Sequence, residues 1–253
     1  MMKKLLLLIA LTITSISANA TFNNNVPFEL YGEPKFKVIR PYFDMSYSEL
    51  HKKTLEEKDR NAYFEGGLRY YYGFSKRLDI PFPKDYAAAA MWFYEAGMKD
   101  HEEASYFLGN MYLKGQSVKK DNKTAIWWFT KSKERGFDHA TYMLANIYYE
   151  LSQNKKLAES YRRLYLGYSI KNYEELMKVN YPQAFYNRAI IMLRNKDLTR
   201  FVLADVNEIL QSAFDLFLLK SDKDSCYDIL KVMAYYRLEG HRSSEMKFNH
   251  TFN

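Results

Sequence analysis

The sequence of 253 residues has one cysteine, Cys226, so no disulfide can form within the chain. Cys226 lies in an apolar helical pattern, which favours a buried small side chain over the alternative, a reactive thiol. Metal-binding spacing is also lacking, because none of the five histidines pairs with another at ligand spacing on a helix or stands beside the cysteine. No glycine-rich loop that could hold a phosphate is present. We therefore expect no metal and no cofactor.

After residue 20 no apolar run approaches the ~20 residues that a transmembrane helix needs. The first 20 residues differ from the rest. Lys3 and Lys4 precede the apolar stretch 5–13, and Ala18 and Ala20 place small residues where a signal peptidase cleaves. This pattern predicts a signal peptide over residues 1–20 and an exported protein, periplasmic if the host is Gram-negative. A membrane anchor is the alternative, and it would need a longer apolar run.

Concentrated charge is missing as well. The formal charge is +7, and it becomes +5 when Lys3 and Lys4 are removed with the signal peptide. Positive and negative residues are mixed along the chain, whereas nucleic-acid binding needs a concentrated basic patch. We expect neither a nucleic-acid partner nor a stable membrane anchor.

Aromatic residues, in contrast, are abundant, with 23 Tyr and 17 Phe, and part of the sequence repeats. Three residues of one helical pattern recur after 36 positions: Ala104 as Ala140, Leu108 as Leu144, and Tyr112 as Tyr148. A period of this length is typical of stacked helical hairpins. An earlier copy precedes it by 42 residues, with the six extra residues assigned to a proline-containing loop at 74–84.

The residues of one unit explain its two helices. Ala104, Leu108 and Tyr112 are four apart and share one helix face. Gly115 can adopt positive φ and end the first helix. Asp121 can cap the second helix, and Gly136 can end it. The small Gly109 would let a neighbouring helix come close.

These positions together resemble a Sel-1-like repeat, a relative of the tetratricopeptide repeat found in secreted bacterial proteins. The matching run is Ala104, Leu108-Gly109, Tyr112, Gly115, Val118, Asp121, Ala125, Trp128-Phe129, Lys131 and Gly136. The resemblance covers about residues 60–150. It implies an all-α fold, a right-handed α-solenoid of antiparallel helix pairs with an irregular N-terminal strap and C-terminal capping helices. It also implies a binding protein that uses its concave surface.

The chain then divides into a signal peptide (1–20), an irregular segment (21–45), a repeat solenoid (46–240) and a disordered tail (241–253). The irregular segment is either a flexible leader or a strap against the first hairpin. We expect the first helix to begin near Ser46 or Ser48. Later helices are predicted at 140–149, 156–168, 184–193, 201–219 and 225–238.

One row of aromatic residues is the candidate partner-binding site. Equivalent positions in four successive first helices carry Phe64, Tyr106, Tyr142 and Tyr186. The row is either a packing ladder between repeats or a line of rings on the concave wall. Two further equivalent residues, Asn110 and Asn146, could offer amides to a ligand backbone, or could simply be exposed to solvent.

The only catalytic pattern is Ser117-x-x-Lys120, a spacing that serine acyl-enzymes use. It lies in the loop between two repeat helices, and the repeat pattern already accounts for the neighbouring Val118 and Asp121. We therefore predict a non-enzymatic, exported interaction module whose partner is another protein. Two roles fit, a periplasmic adaptor or an immunity protein that neutralises a delivered toxin. The alternative is an envelope hydrolase that acts on peptidoglycan or a β-lactam.

Overall fold

The computed structural model describes residues 38, 40–73, 83–195 and 203–252. All regular structure in these residues is helical, which confirms the all-α prediction. The predicted signal peptide, most of segment 21–45 and most of loop 74–84 lie outside the described residues. The helices are α1 (Tyr47–Lys52), which continues as a π-helical turn (Lys53–Glu57), α2 (Arg60–Tyr72), α3 (Tyr86–Met98), α4 (Glu102–Lys114), α5 (Asn122–Glu134), α6 (Asp138–Gln153), α7 (Glu159–Lys178), α8 (Pro182–Arg194), α9 (Leu203–Leu219), α10 (Lys223–Tyr235) and α11 (His241–Phe252).

The described residues form two compact units, and the boundary between them along the sequence lies between Leu176 and Met177. In the first unit each helix from α2 to α5 packs against the next one, as expected for a solenoid of helix pairs. Asp85 and Asp121 cap the second helices α3 and α5 by accepting hydrogen bonds from main-chain N–H groups of the first turn. The capping role predicted for Asp121 is therefore confirmed.

A left-handed residue recurs between repeats. Gly136 follows α5 with φ of 84°, and the equivalent positions, Lys58, Asp100 and Asn180, have φ of 51°, 62° and 56°. Only one of the four is glycine, although the left-handed region costs other residues energy. The chain therefore keeps the same turn in each repeat even where the sequence signal for it has been lost.

The end of the first helix depends on one glycine. Gly115 has φ of 71°, and its N–H donates to the carbonyl of Met111, which ends α4. In the next repeat the equivalent position is Leu151, which cannot take this conformation cheaply. Helix α6 accordingly continues to Gln153 and has 16 residues, where α4 has 13. The following helix, predicted at 156–168, is longer than expected and extends to Lys178.

Close approach of the helices explains the small residue at position 109. A Cβ atom on Gly109 would lie 2.9 Å from the Phe129 ring, closer than packed carbon atoms allow. Phe129 is fully buried beside Trp128 in the core of this unit. The prediction that Gly109 admits a neighbouring helix is confirmed, and the neighbour is the aromatic pair of α5.

The segment before α1 is a strap across α2. Glu65 accepts two hydrogen bonds from Arg40, at 3.0 and 2.7 Å, and one from Arg69 Nε at 2.8 Å. Arg69 also donates to the carbonyl of Met45 at 2.7 Å. Glu65 and Arg69 are each 1% exposed, so this ion pair is buried, while Arg40 is half-buried. Of the two alternatives for segment 21–45, its described residues support the strap.

Helix α1 begins where the sequence predicts. Ser46 accepts a hydrogen bond from the N–H of Glu49, and the Glu49 carboxylate accepts one from the Ser46 N–H at 2.7 Å. This reciprocal pair is a capping box, which fixes the helix start.

The second unit has its own apolar core, formed by α8, α9 and α10. Pro182 occupies the first turn of α8, as predicted. Asp222 caps α10, which begins at Lys223 and ends at Tyr235, slightly before the predicted range. Cys226 is fully buried in this core, which favours the reading as a small apolar side chain.

The C-terminal residues differ from the prediction. Residues 241–253 were expected to form a disordered tail, but the structure has helix α11 over His241–Phe252. The reason is packing, since Phe248 and Phe252 lie against the core of the second unit. Lys247 also pairs with Asp215 of α9 at 2.7 Å. Two aromatic residues four apart thus fix a segment whose overall composition is polar.

Candidate functional site

The structure buries the predicted row of rings. Phe64 and Tyr106 are each 1% exposed, Tyr142 is fully buried and Tyr186 is 3% exposed. A buried ring cannot meet a partner, so these four residues are corrected from binding residues to core residues. They lie on faces of the first helices that pack against other helices.

The contacts of these rings show the packing alternative directly. Phe64 packs on Phe93 of the second helix and on His101, the residue before the next first helix, with ring centroids 5.9 and 4.2 Å apart. Tyr106 makes the equivalent contacts one repeat later, with Phe129 at 5.6 Å and Phe137 at 5.3 Å. Phe64 and Tyr106 therefore each fill the junction between their own repeat and the next.

The two asparagines are not a solvent-facing amide pair either. Asn110 is 2% exposed, so it is corrected to an interior residue. Asn146 is half-buried, and its side-chain oxygen accepts a hydrogen bond from the Tyr173 hydroxyl of α7. Its amide joins two helices of the fold and is not positioned for a ligand backbone.

The side chains that do reach solvent lie on the second helices. Met91, Tyr94 and Met98 of α3 are 72%, 47% and 48% exposed, and they share one helix face because they stand at i, i+3 and i+7. Trp127 of α5, equivalent to Met91, is 52% exposed. We call these four residues the outer face.

Ring contacts connect the two helices of the outer face. Tyr94 meets the buried Trp128 edge to face with centroids 5.7 Å apart, and Trp128 in turn contacts Trp127 at 4.6 Å. The sequence contains a signal for this surface. Met91-Trp92-Phe93 and Trp127-Trp128-Phe129 each place three large apolar residues in succession, and three consecutive residues cannot all face the interior side of a helix.

Helix α7 repeats the arrangement. Tyr161, Leu164 and Tyr168 are 57%, 46% and 43% exposed and again stand at i, i+3 and i+7. Tyr168 also packs on the half-buried Tyr148 of α6, with centroids 5.3 Å apart. Exposed apolar side chains are thus a property of three successive second helices.

An ionic cluster borders the outer face two residues beyond Met98. Asp100 pairs with Arg135 at 2.6 Å and with Lys131 at 3.1 Å. Hydrogen bonds from Arg135 and Lys131 lower the pKa of Asp100. The rim at this side is therefore ionised and polar, while the outer face beside it is apolar.

Comparison with known proteins agrees with this architecture. The family model described as the Sel1 repeat matches residues 62–101 and 102–137. Two adjacent segments of the chain therefore match the Sel1 repeat. The resemblance carried by Ala104 to Gly136 is thereby confirmed, and the first match includes the copy that the insertion interrupts.

Two solved structures are similar to this chain. A Sel1 repeat protein from Oxalobacter formigenes is 21% identical with a TM-score of 0.41, and the match covers 53% of this chain and 97% of that one. The protein c5321, a protective antigen present in uropathogenic Escherichia coli strains and displaying an SLR fold, is 16% identical with a TM-score of 0.32. That match covers 81% of this chain and 59% of that one. No curated protein matches the chain.

Sel1 repeat proteins generally mediate protein–protein interactions, and the fold is typically a non-catalytic scaffold. In this chain Ser117 and Lys120 both lie exposed on the loop after Gly115. A serine nucleophile needs a base held beside it in a sheltered site, so an open loop does not supply this pair. The hydrolase alternative loses its only named residues.

Other reactive groups do not assemble in the described part of the chain. No group of three or more His, Cys, Asp or Glu residues there could hold a metal ion. Burial raises the pKa of the Cys226 thiol to about 11, so the thiolate is disfavoured. None of the described helices is long and apolar enough to cross a bilayer.

Proposed function

We propose that the chain is an exported, non-enzymatic interaction module that binds a protein partner through its outer face. The observation that carries this proposal is the exposure of Met91, Tyr94, Met98 and Trp127 on neighbouring helices. Apolar surface of this kind with a polar rim marks protein interaction sites. Methionine and aromatic side chains are also the types enriched at interface centres.

An exported interaction module could have either of two roles, and the identity of its partner would distinguish them. A periplasmic adaptor would hold envelope proteins together. An immunity protein would bind and neutralise a toxin delivered by a rival cell. Both need the same kind of surface, so the proposal names the surface and leaves the role to the identity of the bound protein.

The test is capture of partners by residues 21–253 from envelope extract and from cells that co-express the neighbouring gene product. One-to-one capture of a single enzyme that loses activity would establish the immunity role, and capture of envelope machinery would establish the adaptor. Retention on peptidoglycan without any protein partner would contradict the proposal.

Variants locate the surface. Trp127→Glu combined with Met91→Glu places charge in the outer face, and loss of a central interface residue costs about 2 kcal/mol or more. We expect at least about thirtyfold weaker capture. The control is Leu219→Glu with Met246→Glu, which alters residues that are 83% and 68% exposed in the second unit. Equal loss in both double variants would argue against the outer face.

A further inference from the structure

One loop position carries lysine in three successive repeats. Lys84, Lys120 and Lys156 are each 36 residues apart, and each stands in the loop between the first and second helix of its repeat. All three side chains are exposed. In the described residues no carboxylate pairs with any of them. We call these residues the lysine row.

The structure brings the end of α2 next to the loop that holds Lys120. Helices α2 and α4 contact each other. The hydroxyl of Tyr71, near the end of α2, donates to the side-chain oxygen of Gln116 in the next loop at 3.3 Å. Lys84 and Lys120 also have the same local setting, since each packs against the glycine that ends the preceding helix, Gly73 or Gly115.

Further lysines reinforce the row, and its acidic residues are engaged. Residues 83–85, 114–123 and 153–159 contain seven exposed lysines, two aspartates and Glu159, an excess of four positive charges, and Glu159 pairs with Arg163. Asp85 accepts hydrogen bonds from the N–H groups of Ala87 and Ala88, and Asp121 accepts from Lys123 N–H and the Thr124 hydroxyl. Both carboxylates therefore stabilise helix starts. The seven lysines are Lys84, Lys114, Lys119, Lys120, Lys123, Lys155 and Lys156.

A hollow lies beside the middle of the row. It has a volume of about 530 Å³ and is lined by Tyr112, Val118, Lys119, Lys120 and Asp121. Half-buried Tyr112 and Val118 give it an apolar wall beside two lysines. Its one acidic residue, Asp121, is engaged by the Lys123 N–H and the Thr124 hydroxyl. This combination accepts an apolar or aromatic side chain whose neighbours in the sequence are acidic.

We propose that the lysine row binds an extended acidic segment of the protein partner. The inference rests on the proposed function and adds the chemistry of the partner. Packed helices are about 8–10 Å apart, and three residues of extended chain span about 10 Å. A carboxylate at every third residue would therefore meet Lys84 and then Lys120, and the 36-residue sequence period extends the row to Lys156. A protein segment is favoured over an anionic lipid surface because a recess admits a side chain, whereas a flat bilayer would leave it empty.

The probe is a fluorescein-labelled peptide with glutamate at every third position, serine elsewhere and one tyrosine, and the readout is fluorescence anisotropy. We expect binding that is lost in about 1 M salt, where the screening length is about 3 Å. The variant Lys84→Gln with Lys120→Gln and Lys156→Gln should bind about tenfold more weakly or worse. The control is Lys52→Gln with Lys171→Gln and Lys178→Gln, which removes the same charge from exposed positions on helices.

Three results would overturn the inference: equal weakening by both triple variants, equal binding of a peptide with its glutamates clustered, or binding only to phosphatidylglycerol vesicles. The outer-face variant separates this inference from the proposed function. Partner capture that needs Trp127 but survives loss of the lysine row would refute the inference alone. Peptide binding through the lysine row without any captured protein would refute the proposed function alone.

Discussion

His101 shows how a single residue couples this fold to pH. It precedes α4, is 5% exposed, and its Nδ1 accepts a hydrogen bond from the N–H of Ala104 at 3.3 Å. Nδ1 can accept this bond only when it carries no proton, so the bond requires a neutral imidazole. Burial lowers the pKa of His101 to about 4, although the neighbouring Glu102 opposes the shift.

The first prediction follows from this lowered pKa. The unfolded chain, with a histidine pKa of about 6.5, binds the proton more readily than the folded protein does. Stability should therefore fall as the pH decreases from about 6.5 to about 4, by up to about 3 kcal/mol. His101→Asn keeps a capping acceptor that does not titrate in this range, so the fall should disappear. Urea unfolding across this pH range measures it.

The matched control is His51→Asn, which changes an exposed histidine. Burial raises the pKa of Asp138, so carboxylates also contribute to the pH dependence of stability. The difference between the stability curves of the wild type and His101→Asn isolates the contribution of the imidazole. An unchanged slope in His101→Asn would exclude the imidazole as the cause. The sequence shows only that the histidines lack metal-ligand spacing. It does not identify His101 as a cap, because this role depends on how Phe64 and α4 enclose the imidazole.

At the scale of elements, the strap covers α2 with residues that do not belong to the repeat pattern. Glu65 and Arg69 form a buried ion pair that the half-buried Arg40 joins, and Tyr42 adds a 2.7 Å hydrogen bond to Asp59. A repeat array needs its terminal repeat covered. Here polar side chains from an irregular segment cover α2, and apolar periodicity gives no sign of such contacts.

The second prediction concerns Glu65. Glu65→Ala would leave the buried Arg69 without its carboxylate, and breaking a buried ion pair in this way costs about 3–5 kcal/mol. We expect urea unfolding to show a loss of about 3 kcal/mol. Glu159→Ala is the control, because Glu159 and Arg163 have the same i, i+4 spacing but are 68% and 62% exposed, and exposed pairs contribute about 0.5 kcal/mol. Similar losses in the two variants would mean that the buried group does not hold the strap.

The limits of sequence prediction are clearest at the level of elements. Local signals such as Ser46 with Glu49, Asp121 and Pro182 place helix starts correctly, because each satisfies main-chain groups within a few residues. The prediction of a disordered tail at 241–253 was wrong because Phe248 and Phe252 stabilise this segment only by packing against a core formed by residues elsewhere in the chain. The predicted row of aromatic residues shows the same limit. Equivalent repeat positions indicate that Phe64 and Tyr106 lie on the same face of their helices, but they do not show that another helix covers that face.

At the scale of the whole molecule, the two units have separate cores. Phe129 belongs to the core of the first unit and Phe214 to that of the second, and no described residue belongs to both. In repeat proteins each element is stabilised mainly by its neighbours, so damage to one core need not spread through the chain. Sequence periodicity predicted the first core, because its repeats are regular. The second follows from strongly apolar helices without a clear repeat.

The third prediction tests whether these cores are energetically separate. Phe129→Ala should cost about 3–5 kcal/mol through lost packing and a cavity. We expect hydrogen exchange, followed by mass spectrometry, to accelerate in α4 to α6 and to change little in α9 and α10. Phe214→Ala is the matched variant and should produce the reverse pattern. If either variant accelerated exchange equally in both units, the chain would unfold as one cooperative body, and a partner bound at the outer face would then stabilise α9 and α10 as much as α3.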